Sequence, residues 1–162
     1  MMSRFVGKAA RMGAVVVVVA LVSCTHAAPP PAARPVPVDA SLYKRLGGYD
    51  AIAAVTDNFM TRIHGDTAIM AFFAGLDSTA DRHIRQMVVD QLCAASGGPC
   101  FYAGKSMKEA HMTLDITDDA FSRFIGHFQA ALTAFAVPSR EQNELVGALL
   151  SMKGDVVKKR AP

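Results

Sequence analysis

The sequence has 162 residues, of which 51% are hydrophobic, and this is enough apolar material for one compact domain. The formal charge of +3 comes from Arg4, Lys8 and Arg11 in the first 23 residues, so the rest of the chain has 14 basic and 14 acidic residues. Such a balance offers no clustered basic face for phosphates, and we therefore predict no nucleic acid as a partner.

Residues 1–23 have the pattern of an export signal. A basic start precedes the apolar run of residues 14–22, which is far shorter than the ~20 residues that a helix needs to cross a bilayer. The run ends in LVSC at residues 21–24, which resembles the lipobox of bacterial lipoproteins and predicts acylation of Cys24. A lipid anchor there would hold the exported protein at the periplasmic side of the inner or the outer membrane. The alternatives are an ordinary signal peptide that is cut near Ala27 or Ala28, or an incidental cysteine.

Residues 24–40 form a predicted tether. Their prolines favour extended polyproline geometry and exclude a helix. They are Pro29, Pro30, Pro31, Pro35 and Pro37. We therefore place the folded domain at residues 41–160.

The first half of that domain has helical spacing. A short helix breaks at Gly47-Gly48, a long helix follows, a brief segment covers residues 67–73, and another helix covers residues 79–95. The apolar positions that define the buried faces of the two long helices are Ile52, Val55, Phe59, Ile63, Ile84, Val88 and Leu92. Gly97 and Gly98 then favour an end to the second long helix.

Two more helices complete the domain. Thr117, followed by two aspartates, is typical of a helix start, and an apolar stripe follows from Phe121 to Phe135. Ser139 with Gln142 three residues later predicts a capping box for the last helix. Because the domain contains no useful run that alternates with period two, we predict an all-α fold.

The segment between the two halves is unusual. Residues 97–111 read GGPCFYAGKSMKEAH, in which Gly104 favours irregular chain and a short turn over residues 106–112 carries His111 among apolar neighbours. Spacing alone favours a hydrogen-bonded structural histidine over a metal ligand.

An ordered set of residues between 41 and 157 resembles the group 1 truncated haemoglobins. The set is Leu42-Tyr43, Leu46-Gly47-Gly48, Ala51-Ile52, Phe59, Arg62, Asp66, Phe72-Phe73, Gly97-Gly98-Pro99, Tyr102, Gly104, Met107, Ala110-His111 and Ile116-Thr117. The resemblance implies an antiparallel two-over-two helical sandwich that binds haem b (iron protoporphyrin). It also implies that His111 is the proximal iron ligand and that Phe73 packs on the porphyrin.

Apolar side chains are predicted to line the haem slot. They are Phe59, Met60, Phe73, Ile84, Val88, Met107, Leu114, Phe124 and Phe128. Dry walls of this kind slow oxidation of a haem iron by water and protons.

The distal side, opposite the proximal ligand, departs from the family pattern. Many group 1 members have a tyrosine where this chain has Met60. Counting back from Gly97 puts the other two distal positions on Ile84 and Val88, whereas counting forward from Phe73 comes closer to His83 and Gln86. We prefer the backward count, because a helix tolerates no gap and a loop does. Without a hydrogen-bond donor, oxygen should dissociate quickly.

Cys93 and Cys100 flank the double glycine. An exported domain favours a disulfide between them, and two buried thiols are an equally good interpretation. No second cluster of cysteines or histidines offers four zinc ligands.

The sequence thus predicts a lipid-anchored haem protein that binds oxygen, nitric oxide or carbon monoxide. Oxygen transport and nitric oxide handling both remain open, and dioxygenase-like turnover would need an external electron donor. One alternative is a six-coordinate haem for electron transfer or redox sensing, with Met60 or His83 on the iron. Another is a haem-free helical lipoprotein. The sequence shows no catalytic triad, no paired carboxylates and no phosphate-binding loop.

Overall fold

A computed structural model describes residues 41–158, all within one compact unit. The predicted signal, the acylation of Cys24 and the tether lie outside these residues, as do residues 159 and 160. What the sequence predicts for those parts therefore stays a prediction.

Residues 41–158 form helices and loops without a strand, which confirms the predicted all-α class. The helices are α1 (Leu42–Arg45), α2 (Tyr49–His64), α3 (Thr67–Met70), a 3₁₀ turn (Ala71–Phe73), α4 (Ser78–Ala95), α5 (Met107–His111), α6 (Asp118–Ala134), α7 (Ser139–Ser151) and α8 (Lys153–Val156). None of the helices in this part of the chain is both long and apolar enough to span a bilayer.

The core lies where α2 packs against α4 and α6, and α6 in turn packs against α7. Its largest side chain, Phe59, is 1% exposed and meets the rings of Phe124 and Phe128 edge-on, at centroid distances of 4.8 and 5.4 Å. Edge-to-face pairs of this kind add to the stabilisation from apolar burial. The predicted three- and four-residue spacing of α2 is thereby confirmed.

The double glycine ends α4 as predicted. Ser96 is the C-cap, Gly97 has a φ of +79°, and the Gly98 amide donates to the Cys93 carbonyl at 2.9 Å. A left-handed residue at this position suits glycine, which has no Cβ to collide with the backbone.

The predicted capping box of α7 is wrong. Pro138 is the N-cap, so Ser139 is already the first helical residue and its side chain caps nothing. The side-chain amide of Gln142 instead donates to the Val137 carbonyl at 2.8 Å. A capping box is instead present in α5, between Ser106 and Glu109.

The short helix α1 links the end of α4 to the start of α7. The Tyr43 amide donates to the Ser96 carbonyl at 2.8 Å, at the end of α4. Arg45 donates to Glu141 at 2.9 Å and also pairs with Glu144, both on α7. These bonds bring the start of the described domain next to the double-glycine turn.

Candidate haem site

His111 is the last residue of α5 and is half-buried. Its Nδ1 lies 2.7 Å from the carbonyl oxygen of Met107, one helical turn earlier. Because a carbonyl can only accept, Nδ1 must carry the proton, and Nε2 is left with the lone pair. No residue of the described chain hydrogen-bonds Nε2. This is the tautomer, and the supporting hydrogen bond, that orient a histidine for a metal.

The capping box fixes the helix that carries this histidine. Ser106 Oγ accepts from the Glu109 amide at 3.3 Å, and Glu109 Oε2 accepts from the Ser106 amide at 3.1 Å. The hydrogen bond from the Ser106 side chain also lowers the pKa of Glu109. A five-residue helix is far below the length that is stable alone, so these bonds and its contact with α8 hold it in place.

The loop that leads to α5 is braced at both ends. Cys93, fully buried in α4, and Cys100 are joined as a disulfide in the structure. Further on, Tyr102 donates its hydroxyl proton to the Lys105 carbonyl at 2.8 Å, and burial raises the pKa of Tyr102. The path from α4 to His111 is therefore set by a covalent link and a local turn.

Exposure sorts the predicted haem contacts into two groups. A planar cofactor can contact only side chains that protein atoms do not already cover. Phe73, Ile84, Val88, Met107, Leu114 and Phe124 are half-buried, like His111 itself. Phe59, Met60 and Phe128 are only 1%, 5% and 1% exposed, so each could present only a few atoms to a cofactor or a gas. Assignment of the individual contacts stays a prediction.

The two counts along α4 lead to side chains with different surroundings. Ile84 and Val88 are half-buried and pack against the core. His83 is exposed. The side-chain amide of Gln86 donates to the Tyr49 hydroxyl at 2.8 Å and to the Asp90 carboxylate at 2.9 Å. The polar side chains of the forward count are thus exposed or engaged with other groups.

Two open clefts on the domain lie away from His111. One, of about 490 Å³, lies between α2 and α4 and is lined by Asp57, Met60, Thr61, His64, Asp81, Arg82, Arg85 and Gln86. The other, of about 510 Å³, lies beside the start of α6 and the end of the domain. Both have charged residues in their linings, so neither matches the apolar slot that is predicted for haem.

Asp66 bonds to several groups at once. In the sequence, only the family resemblance draws attention to this residue. It caps α3 by accepting from Ala68 at 3.0 Å, and it pairs with His127 at 2.8 Å and Arg123 at 3.3 Å on α6. The hydrogen bond from His127, followed by that from Arg123, lowers the pKa of Asp66 to about 2. Asp66 therefore fastens to α6 the segment that ends in Phe73.

The remaining histidines of the bundle include two with carboxylate partners. His64 lies 2.9 Å from Asp81, and His127 pairs with Asp66. Across residues 41–158, no group of three or more His, Cys, Asp or Glu side chains could hold a bare metal ion. A single nitrogen donor among apolar walls fits an iron whose other ligands come from a porphyrin.

A helical sandwich with one such histidine defines a haem-binding globin. The model of the bacterial-like globin family matches residues 41–158, and the chain belongs to this family. The group 1 truncated hemoglobin GlbN of Mycolicibacterium paratuberculosis is 36% identical over 117 residues, which cover 72% of this chain and 84% of that protein.

Solved structures agree with this assignment. The Fe(III) form of the truncated hemoglobin from Tetrahymena pyriformis superposes with a TM-score of 0.69 at 28% identity, and covers 74% of this chain and 100% of that one. The 2/2 hemoglobin from Synechococcus sp. PCC 7002, in the cyanomet state, gives 0.67 at 26% identity with the same coverage. Residues 41–158 therefore form a group 1 truncated haemoglobin domain, which binds haem and a diatomic gas.

Proposed function

We propose that this globin binds haem b through His111 and exchanges its gas rapidly on an apolar distal side, while an acylated Cys24 holds it at a membrane. The bond between His111 Nδ1 and the Met107 carbonyl, which leaves the Nε2 lone pair to ligate, is the observation that carries the proposal. Bound haem supplies an iron with one position open to oxygen, nitric oxide or carbon monoxide.

The distal side chains support rapid exchange. Ile84 and Val88 have no polar atoms, and the thioether of Met60 accepts weakly and donates nothing. Bound oxygen then lacks the hydrogen bond that would slow its release. Oxygen transport fits such behaviour, and nitric oxide handling fits it if an external donor supplies electrons.

A six-coordinate haem has less support. His83 is exposed on α4, and Met60 is 5% exposed within the core. Neither side chain shares the half-buried setting of Ile84 and Val88, so we propose a five-coordinate ferrous haem.

Absorption spectra of the detergent-extracted full chain test the proximal ligand. We expect a Soret band, a high-spin five-coordinate ferrous spectrum and a shift with carbon monoxide. His111→Gly should lose most of its haem, and added imidazole should restore part of it. His64→Gly is the matched control, because His64 is exposed and paired with Asp81, and it should behave as wild type. Full haem content and unchanged spectra in His111→Gly would refute the assignment.

Stopped-flow oxygen dissociation tests the distal side. Met60→Tyr should slow release by about tenfold, which corresponds to about 1.4 kcal/mol for one new hydrogen bond. Met60→Leu, which has no donor, should match wild type. Equal rates in all three proteins would mean that position 60 does not face the gas.

Mass spectrometry of the N-terminal peptide tests the anchor. We expect an acylated Cys24 as the first residue of the mature chain. A mature chain that begins after Ala27 with no lipid would exclude the membrane part of the proposal.

A further inference from the structure

Phe101 is the most exposed of the large apolar side chains in the described domain. It is 86% exposed, whereas Met112, the next, is 69% exposed. A single exposed ring is common on protein surfaces, but this one is distinguished by the loop that holds it and by the start of the domain beside it.

The loop of residues 99–105 is held in place on both sides of this ring. Directly before it, Cys100 is bound to the buried Cys93. Directly after it, Tyr102 closes a turn onto the Lys105 carbonyl, and a Cβ added at Gly104 would lie 2.4 Å from the Tyr102 ring. The chain on both sides of Phe101 is thus held in place, which favours the outward position of the ring.

The start of the described domain lies beside this loop. A Cβ added at Gly97 would lie 3.5 Å from the Cβ of Ser41, and the Tyr43 amide bonds the Ser96 carbonyl. Any tether that precedes Ser41 therefore meets the domain within a few residues of Phe101.

Charge on this face suits an anionic lipid surface. Residues 97–108 include Lys105 and Lys108 and no acidic residue, and Lys44 is exposed on the adjoining α1. The next acidic residue in the sequence, Glu109, is exposed and hydrogen-bonded to Ser106 in the capping box, so the three lysines outnumber it. Basic residues around an apolar tip are favoured at the headgroup layer.

We propose that the loop of residues 99–105 docks on the bilayer that carries the anchor, with Phe101 inserted among the acyl chains near the surface. This inference rests on the proposed anchor at Cys24. Sixteen residues separate Cys24 from Ser41. In polyproline geometry they would reach on the order of 50 Å, so the tether permits docking without enforcing it. Phe101 makes one orientation of the domain preferred.

The chain has no tryptophan, so Phe101→Trp introduces a single fluorescent reporter. The full acylated chain is placed in phosphatidylcholine–phosphatidylglycerol vesicles with ordinary or brominated acyl chains. We expect bromine to reduce the emission of the Phe101→Trp variant by about half, as for a ring buried at the interface. Leu76→Trp is the control, because Leu76 is 46% exposed and precedes the start of α4, at the opposite end of this 18-residue helix from the double glycine, and the emission of this variant should not change. Any quenching by haem is the same in both lipids and cancels.

Each other outcome overturns a defined part of the inference. If the Phe101→Trp variant floats with vesicles while its indole stays unquenched, the protein has its anchor but does not dock. Equal quenching in the two variants means that the domain lies on lipid without a preferred face. If the indole at position 101 is shielded from aqueous iodide and yet not reached by bromine, a protein surface or the cofactor covers it. If the chain does not float, the anchor itself is refuted, and the docking falls with it.

Discussion

The segment that carries the iron ligand and the bundle that surrounds it are held by different forces. Six of the 16 residues of α2 are buried, whereas none of residues 97–117 is. Apolar burial holds the bundle. A capping box, a disulfide and a few local hydrogen bonds hold the segment. Segments with few buried apolar contacts open locally at lower free energy than the core, so His111 lies on the less stable part.

The largest expected effect comes from the same substitution, phenylalanine to alanine, made once in the bundle and once in the segment. Phe128→Ala removes a ring that is 1% exposed and should lower the free energy of unfolding by about 3–5 kcal/mol. Phe101→Ala removes the same ring where it is 86% exposed and should change the free energy little. Urea unfolding followed by circular dichroism measures both. Similar losses in the two variants would contradict the contrast.

Removal of the disulfide should have the next largest effect. Cys100→Ser opens a link that spans seven residues and should cost about 2 kcal/mol in chain-entropy terms. Hydrogen exchange should rise in residues 97–111 and remain unchanged in α2, because the link braces only the segment. A uniform rise across the domain would mean that the disulfide supports the bundle instead. Thiol counts before and after reduction establish whether it forms in the isolated protein.

Ser106 and Ser139 provide a smaller, matched test, because each lies three residues before a Glu or a Gln. Ser106→Ala removes the cap of α5 and should cost about 1 kcal/mol. Ser139→Ala should be close to neutral, because the Ser139 side chain caps nothing. Haem retention should fall in the first variant only. Loss of stability in Ser139→Ala alone would mean that Ser139, and not Ser106, caps its helix.

The smallest effect is confined to acid. The folded pKa of Asp66, about 2, lies below its ordinary 3.8. The ionised carboxylate therefore stabilises the fold above pH 3.8, and this contribution is lost as the pH falls toward 2. Asp66→Asn keeps an acceptor for the cap but not the charge, so its stability should fall less steeply below about pH 4 than that of wild type. Parallel pH profiles would exclude this role.

The long helices could be predicted, because their periodicity and their ends depend on local pattern. The spacing from Ile52 to Ile63 appears as one face of α2, and the double glycine ends α4. The family resemblance then singled out one histidine, which spacing alone would have assigned to structure.

Other features needed three dimensions. Ser106 and Ser139 both match a capping box, and only the placement of Pro138 at the N-cap decides between them. Asp66 lies 61 residues from His127, so no local pattern links them. The spacing of Cys93 and Cys100 fits a disulfide and two buried thiols equally well. The structure joins their sulfurs.

Helix α1 has four residues and none is buried, so it looks expendable for crystallisation or expression. Its bonds indicate otherwise. A shortened protein that begins at Tyr49 would discard the amide that meets Ser96 and the guanidinium that pairs with Glu141. The double-glycine turn and the start of α7 would each lose a hydrogen bond to α1. Soluble versions should therefore retain the chain from Ser41 onward.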